Sequence, residues 1–183
     1  MKTALLLIDI QNDYFPKGKM ELQGPVEASL KARELLAFFR EAGLPIVHIQ
    51  HVSARPAAGF FLPGTEGVEI HENVRPLPGD IVFQKSFPNS FRGTPLLEHL
   101  RQDEVRRLVV AGMMTHMCVD ATVRASFDHG FENVVVHDAT ATRALAFGGE
   151  TVPAAHVQAA FLAALAGVYA KIADSAGFLA SPD

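Results

Sequence analysis

Residues 3–10, TALLLIDI, form an unbroken apolar run that ends in polar positions, the pattern of a strand buried on both faces. LPIVHIQ (44–50), DIVFQKS (80–86), RRLVVAG (106–112) and ENVVVHD (132–138) repeat that pattern, and a short AKIAD adds a last strand. Between these runs the apolar positions recur at helical spacing. In EASLKARELLAFFREAG, Ala28, Ala32, Leu35, Leu36 and Phe39 share one face, and Gly43 followed by Pro45 supplies a stop. GTPLLEHLRQ reads as a helix with Pro95 in its first turn. HMCVDATVRASFDHG aligns Val119, Val123 and Phe127 and closes at Gly130, and VPAAHVQAAFLAALAGVY aligns Val157, Phe161, Leu165 and Val168. Strands alternating with helices predict right-handed crossovers. The expected fold is a three-layer α/β/α, Rossmann-like, doubly wound and mostly parallel sheet of five to six strands, in one domain over 1–183. The stretch 53–79 has no clear period and is long for a compact domain, so it reads as a lid or an oligomer contact.

Composition narrows the class. Of the 183 residues, 49% are hydrophobic and 20% charged, and the net charge is −4 with both signs scattered. No basic footprint for nucleic acid stands out. The start, MKTALLLIDIQNDY, meets Asp9 and Asp13 within a few residues and has no small-residue cleavage site, so it does not read as a signal peptide. No apolar stretch approaches the ~20 residues needed to cross a bilayer. The lone cysteine, Cys118, excludes an internal disulfide and suits a reducing compartment. A cytoplasmic globular protein is expected, with neither nucleic acid nor membrane as partner.

In an open parallel sheet, ligands sit beyond the carboxyl ends of the strands. Three residues capable of chemistry fall at such ends: Asp9 after the first strand, Lys85 closing the third, and Cys118 just past LVVAG. Each alone has an ordinary reading, as a loop anchor, a solvated lysine and a small buried hydrophobe. Together they mark one rim. With Thr115 as N-cap, Cys118 falls in the first helical turn, where free N–H groups, the helix dipole and a nearby Lys85 favour a thiolate. Asp9 is then placed to take the thiol proton.

These residues carry a resemblance. LLLIDIQNDY, VFQKSFPNSF and VVAGMMTHMCVDATVRAS, in this order, resemble the isochorismatase-like cysteine hydrolases, a superfamily that includes nicotinamidases, N-carbamoylsarcosine amidohydrolases and ureidoacrylate amidohydrolases. The resemblance spans nearly the whole chain. It implies an Asp–Lys–Cys triad at Asp9, Lys85 and Cys118, and a cis peptide between Met113 and Met114. It also implies an oxyanion hole from the backbone N–H groups of Met114 and Cys118, and a homodimer or homotetramer. Nicotinamidases hold a divalent ion with an aspartate and histidines after the second strand. Here that region reads VHIQHVSARP, with His48, Gln50 and His51, no aspartate, and His71 only in the long loop. No metal and no cofactor are expected. His116 is either a pocket residue or part of a solvated turn, and Asp138 and Arg124 read as structural.

The expected function is hydrolysis of a small amide, urea or carbamoyl-type C–N bond. Asp9 is the base, Cys118 the nucleophile, and Lys85 holds Asp9; Asp9 then protonates the leaving amine and activates water against the thioester. Tyr14, Phe15, Phe91, Met114 and Met117 are the expected pocket walls. Two rivals remain. One is vinyl-ether cleavage of the isochorismatase type, with Asp9 as acid and no use for a thiol. The other is a silent binding or scaffold protein.

Overall fold

All six side chains of β1 (Thr3–Ile8) are buried, as its apolar run requires. The computed structural model describes residues 1–55 and 57–182; Pro56, part of the expected loop segment, and Asp183 lie outside the described residues. After β1 come α1 (Pro25–Glu41), β2 (Ile46–His51), β3 (Ile81–Lys85), α2 (Leu96–Gln102) and β4 (Arg107–Met113). A π turn at Thr115–Val119 leads into α3 (Asp120–Asp128). The chain then forms β5 (Glu132–Ala141), β6 (Leu145–Phe147), β7 (Glu150–Val152), α4 (Ala154–Ala166), β8 (Lys171–Ala173) and α5 (Ser175–Ala180).

Six strands form one sheet in the order β3-β2-β1-β4-β5-β8, every neighbouring pair parallel. The chain winds outward from β1 in one direction and from β4 in the other, so the strand order reverses between these two. The crevice that a doubly wound sheet offers to ligands therefore opens beyond Ile8 and Met113. Alternation along the strands divides the core in two. Leu5, Leu7, Val109, Ala111, Val134 and Val136 pack against α1 and Phe178 of α5. Ala4, Leu6, Ile8, Leu108, Val110 and Val135 pack against α2, α3 and Leu165 of α4.

The structure differs from expectation in three places. β5 runs on to Ala141, because Gly112 and Met113 of β4 pair with Thr140 and Ala141 after a register shift. β6 and β7 form an antiparallel hairpin of three-residue strands outside the main sheet, and α5 is a further short helix. The 53–79 segment is fastened to the body. Asp13 Oδ2 accepts the Phe61 N–H at 2.6 Å, and Gln11 and Gln50 both donate to the Val68 carbonyl, at 2.6 and 3.0 Å. Phe61 is buried against Tyr14, with ring centroids 4.6 Å apart. Among the described residues, no helix is long and apolar enough to cross a membrane.

His48, 1% exposed on β2, has no hydrogen-bond partner at either ring nitrogen among the described residues. Burial pushes its pKa down to about 4, against the attraction of Asp80, whose Oδ2 lies 3.6 Å away. A folded pKa below the unfolded one gives stability that is present above the ordinary histidine value and lost as pH falls toward 4. Urea unfolding at stepped pH should therefore show native stability falling by roughly 3 kcal/mol more than that of His48→Leu across this window. Parallel curves would contradict it.

Candidate active site

β1 delivers Asp9 to the crevice through a residue in the left-handed region, with φ 50°, while the Asp9 N–H donates to the Ile49 carbonyl at 3.0 Å. β4 makes room for this turn with glycine. Gly112 pairs with Ile8 and has φ 140°, and a Cβ there would overlap the Ile8 carbonyl oxygen. At the end of β3, Lys85 reaches inward. Its Nζ donates to Asp9 Oδ2 at 2.6 Å and to the Pro88 carbonyl at 3.1 Å, and both charged side chains are fully buried.

Cys118 sits in the π turn, which follows a cis peptide between Met113 and Met114. The N–H groups of Met117 and Val119 both donate to the Met114 carbonyl, at 3.0 and 3.2 Å. Thr115 does not cap this turn. Its Oγ1 donates to the Ala141 carbonyl at 3.2 Å, because the lengthened β5 supplies an acceptor within reach.

The three strand-end residues meet. One ligand-type atom each from Asp9, His51 and Cys118 lies within 4.8 Å of the other two, and Lys85 closes the group through Asp9. Asp9 Oδ1 is buried with no hydrogen-bond partner among the described residues. His51 is the member that the sequence pattern suggests only as a metal ligand. A signal for it exists all the same: it closes β2 directly opposite Lys85.

The electrostatics run against the expected thiolate. Burial, reinforced by the Asp9 charge, pushes the Cys118 thiol well above its ordinary pKa, and the opposing pull of Lys85 is smaller. The first turn of a helix favours an anion, but 4% exposure beside a carboxylate outweighs it. Burial alone would lower the Lys85 pKa, yet the charge of Asp9 prevails and raises it. The resting site is therefore a neutral thiol beside an aspartate–lysine ion pair. Burial lowers the His51 pKa, so its ring is neutral at neutral pH. The cluster fits a cation poorly, because an ion on Asp9, His51 and Cys118 would sit against the Lys85 ammonium. His48 and His71 lie elsewhere, beside Asp80 and stacked on Phe15.

A cavity of about 480 Å³ opens over Cys118. Tyr14, Met114 and Met117 line it together with Phe60 and Phe61 of the long loop. Phe15 and Phe91 do not. Phe15 stacks on His71 with centroids 3.6 Å apart, and Phe91 stacks on Phe131 at 6.2 Å. The only charged side chains lining the cavity are Arg55 and Arg143, neither of which has an ion-pair partner among the described residues. A larger hollow of about 800 Å³ lies among Glu66, Glu69, His71 and Glu72, away from the reactive group.

Comparison with known proteins gives a consistent family. The isochorismatase domain matches residues 3–176. The isochorismatase family protein YddQ of Bacillus subtilis is 53% identical over 179 residues, covering 98% of this chain and 99% of that one. Ureidoacrylate amidohydrolase RutB of Cronobacter turicensis is 30% identical, with 76% of this chain and 74% of its own length covered. The crystal structure of a provisionally named isochorismatase hydrolase from Oleispira antarctica superposes with a TM-score of 0.94 at 47% identity, covering 98% of this chain and 97% of the other.

Proposed function

This chain belongs to the isochorismatase family of hydrolases, and from that premise we propose that it cleaves a small amide or carbamoyl-type C–N bond through a thioester on Cys118. The observation that carries this reading is the thiol held within 4.8 Å of a carboxylate oxygen of Asp9, a buried group whose Oδ1 has no hydrogen-bond partner among the described residues. A relative that acts on ureidoacrylate supports the C–N bond as target.

The thiol is neutral at rest, so attack and deprotonation are coupled. Asp9 Oδ1 takes the Cys118 proton as sulfur bonds to the substrate carbonyl carbon. Lys85 supplies the counter-charge to Asp9 until that moment and holds its other oxygen still. The backbone N–H groups of Met114 and Cys118 are the donors for the developing oxyanion, each worth about 3–4 kcal/mol in sites of this kind. Collapse of the tetrahedral adduct breaks the C–N bond, with Asp9 returning the proton to the leaving amine. Water then hydrolyses the thioester.

Arg55 and Arg143 at the cavity point to an acyl part that carries a carboxylate. The test is ammonia release from a panel of small amides, ureas and N-carbamoyl compounds, each acid paired with its neutral ester or amide. The acids should lead by roughly tenfold in kcat/KM, about one charge-assisted contact, and Arg143→Ala should erase that lead. A panel with no turnover ends the amide reading. Equal turnover of acids and neutral partners ends the assignment of charge.

A further inference from the structure

We propose that His51 and Asp9 together hold the water that frees the acyl group from Cys118, which makes His51 a fourth catalytic residue. The inference rests on the thioester reading above and adds the group that completes its second half.

The His51 ring offers a nitrogen within 4.8 Å of both a carboxylate oxygen of Asp9 and the sulfur of Cys118. Two polar atoms at up to that separation can be bridged by one water, at about 2.8 Å from each with a bent angle at its oxygen. A water in that place lies next to the sulfur, where the thioester carbonyl stands after the amine has left. Asp9 alone gives it one contact and so leaves its direction free. A second contact from His51 fixes the attacking lone pair.

The position of His51 is built rather than incidental. Its backbone is gripped at both ends by the fully buried Gln11, whose Oε1 accepts the His51 N–H at 2.7 Å while its Nε2 donates to the His51 carbonyl at 2.9 Å. The ring tilts against Phe61, with centroids 5.8 Å apart, and borders the cavity. None of its side-chain atoms is engaged in a hydrogen bond with the described residues. The ring is thus held in place with its polar atoms left for a ligand.

In the step itself, water loses a proton to Asp9 Oδ1 as its oxygen bonds to the thioester carbon. The C–S bond then breaks with its electron pair on sulfur, and Asp9 passes the proton to that sulfur. The free acid and the resting thiol are the products. His51 keeps one contact to the water throughout and neither gains nor loses a proton overall.

The test uses p-nitrophenyl acetate, whose leaving group departs without protonation, so that acylation and hydrolysis separate as a burst and a steady rate. His51→Ala should keep the burst amplitude at about one per site, with a burst rate within roughly threefold of native, while the steady rate falls about tenfold or more. Intact-protein mass spectrometry should find acetyl-Cys118 accumulating in that variant. His51→Asn, which restores a polar contact, should recover part of the steady rate. An unchanged steady rate in His51→Ala, or burst and steady rates falling in equal proportion, overturns the role of His51. A native protein that forms no Cys118 adduct overturns the thioester reading as well.

Discussion

Cys118→Ala should lower amide turnover by at least about 10³-fold while leaving the protein folded. The asymmetry between activity and stability is the informative part. The thiol is small, neutral and buried, and its polar neighbours are Asp9, Lys85 and His51 rather than the scaffold, so removing one sulfur costs about 1 kcal/mol of packing. Its loss removes the sulfur that carries the proposed acyl intermediate. Ammonia release and thermal unfolding, measured on the same preparations, check both halves. A variant that retains amide turnover overturns the thioester on Cys118.

Lys85→Met should destabilise the fold by about 3–5 kcal/mol at neutral pH, since it leaves a buried carboxylate without its counter-charge. The double variant Asp9→Asn with Lys85→Met should recover most of that loss, because no uncompensated charge remains. The pH dependence follows from the raised Lys85 pKa. A folded pKa above the unfolded one contributes stability that is complete below the ordinary lysine value and disappears as pH climbs through the folded value. Native protein should therefore lose stability steeply above about pH 10, and the double variant should lose less of it there. Chemical denaturation of the four proteins of this cycle measures the coupling. A double variant as unstable as the sum of the two single changes would refute it.

Much of the fold is legible in the sequence for a definite reason. A parallel sheet needs strands buried on both faces, and such strands leave unbroken apolar runs whose ends are easy to find. Asp9, Lys85 and Cys118 each follow such a run, and strand order then brings the ends of β1, β3 and β4 to one side. The hairpin at Leu145–Val152 leaves no trace, because strands of three residues around Gly148 and Gly149 are too short to show alternation. Phe15 and Phe91 escape prediction for a related reason: in irregular segments, neighbours in sequence face opposite ways, and nothing in composition says which aromatic turns inward. The charge state of Cys118 is hidden because helix position is visible in sequence and depth of burial is not. His51 closes β2 as Lys85 closes β3, so the rule that finds the lysine also covers the histidine.

The grip of Asp13 on the Phe61 backbone bears on how a ligand arrives. Its other oxygen accepts the Lys19 N–H at 3.1 Å, and a Cβ at Gly67 would overlap the carboxyl group, so a larger residue there would have to displace it. The walls of the crevice thus stand assembled in advance. Little ordering entropy remains to be lost when a molecule docks, so more of the contact energy with these walls is kept as affinity.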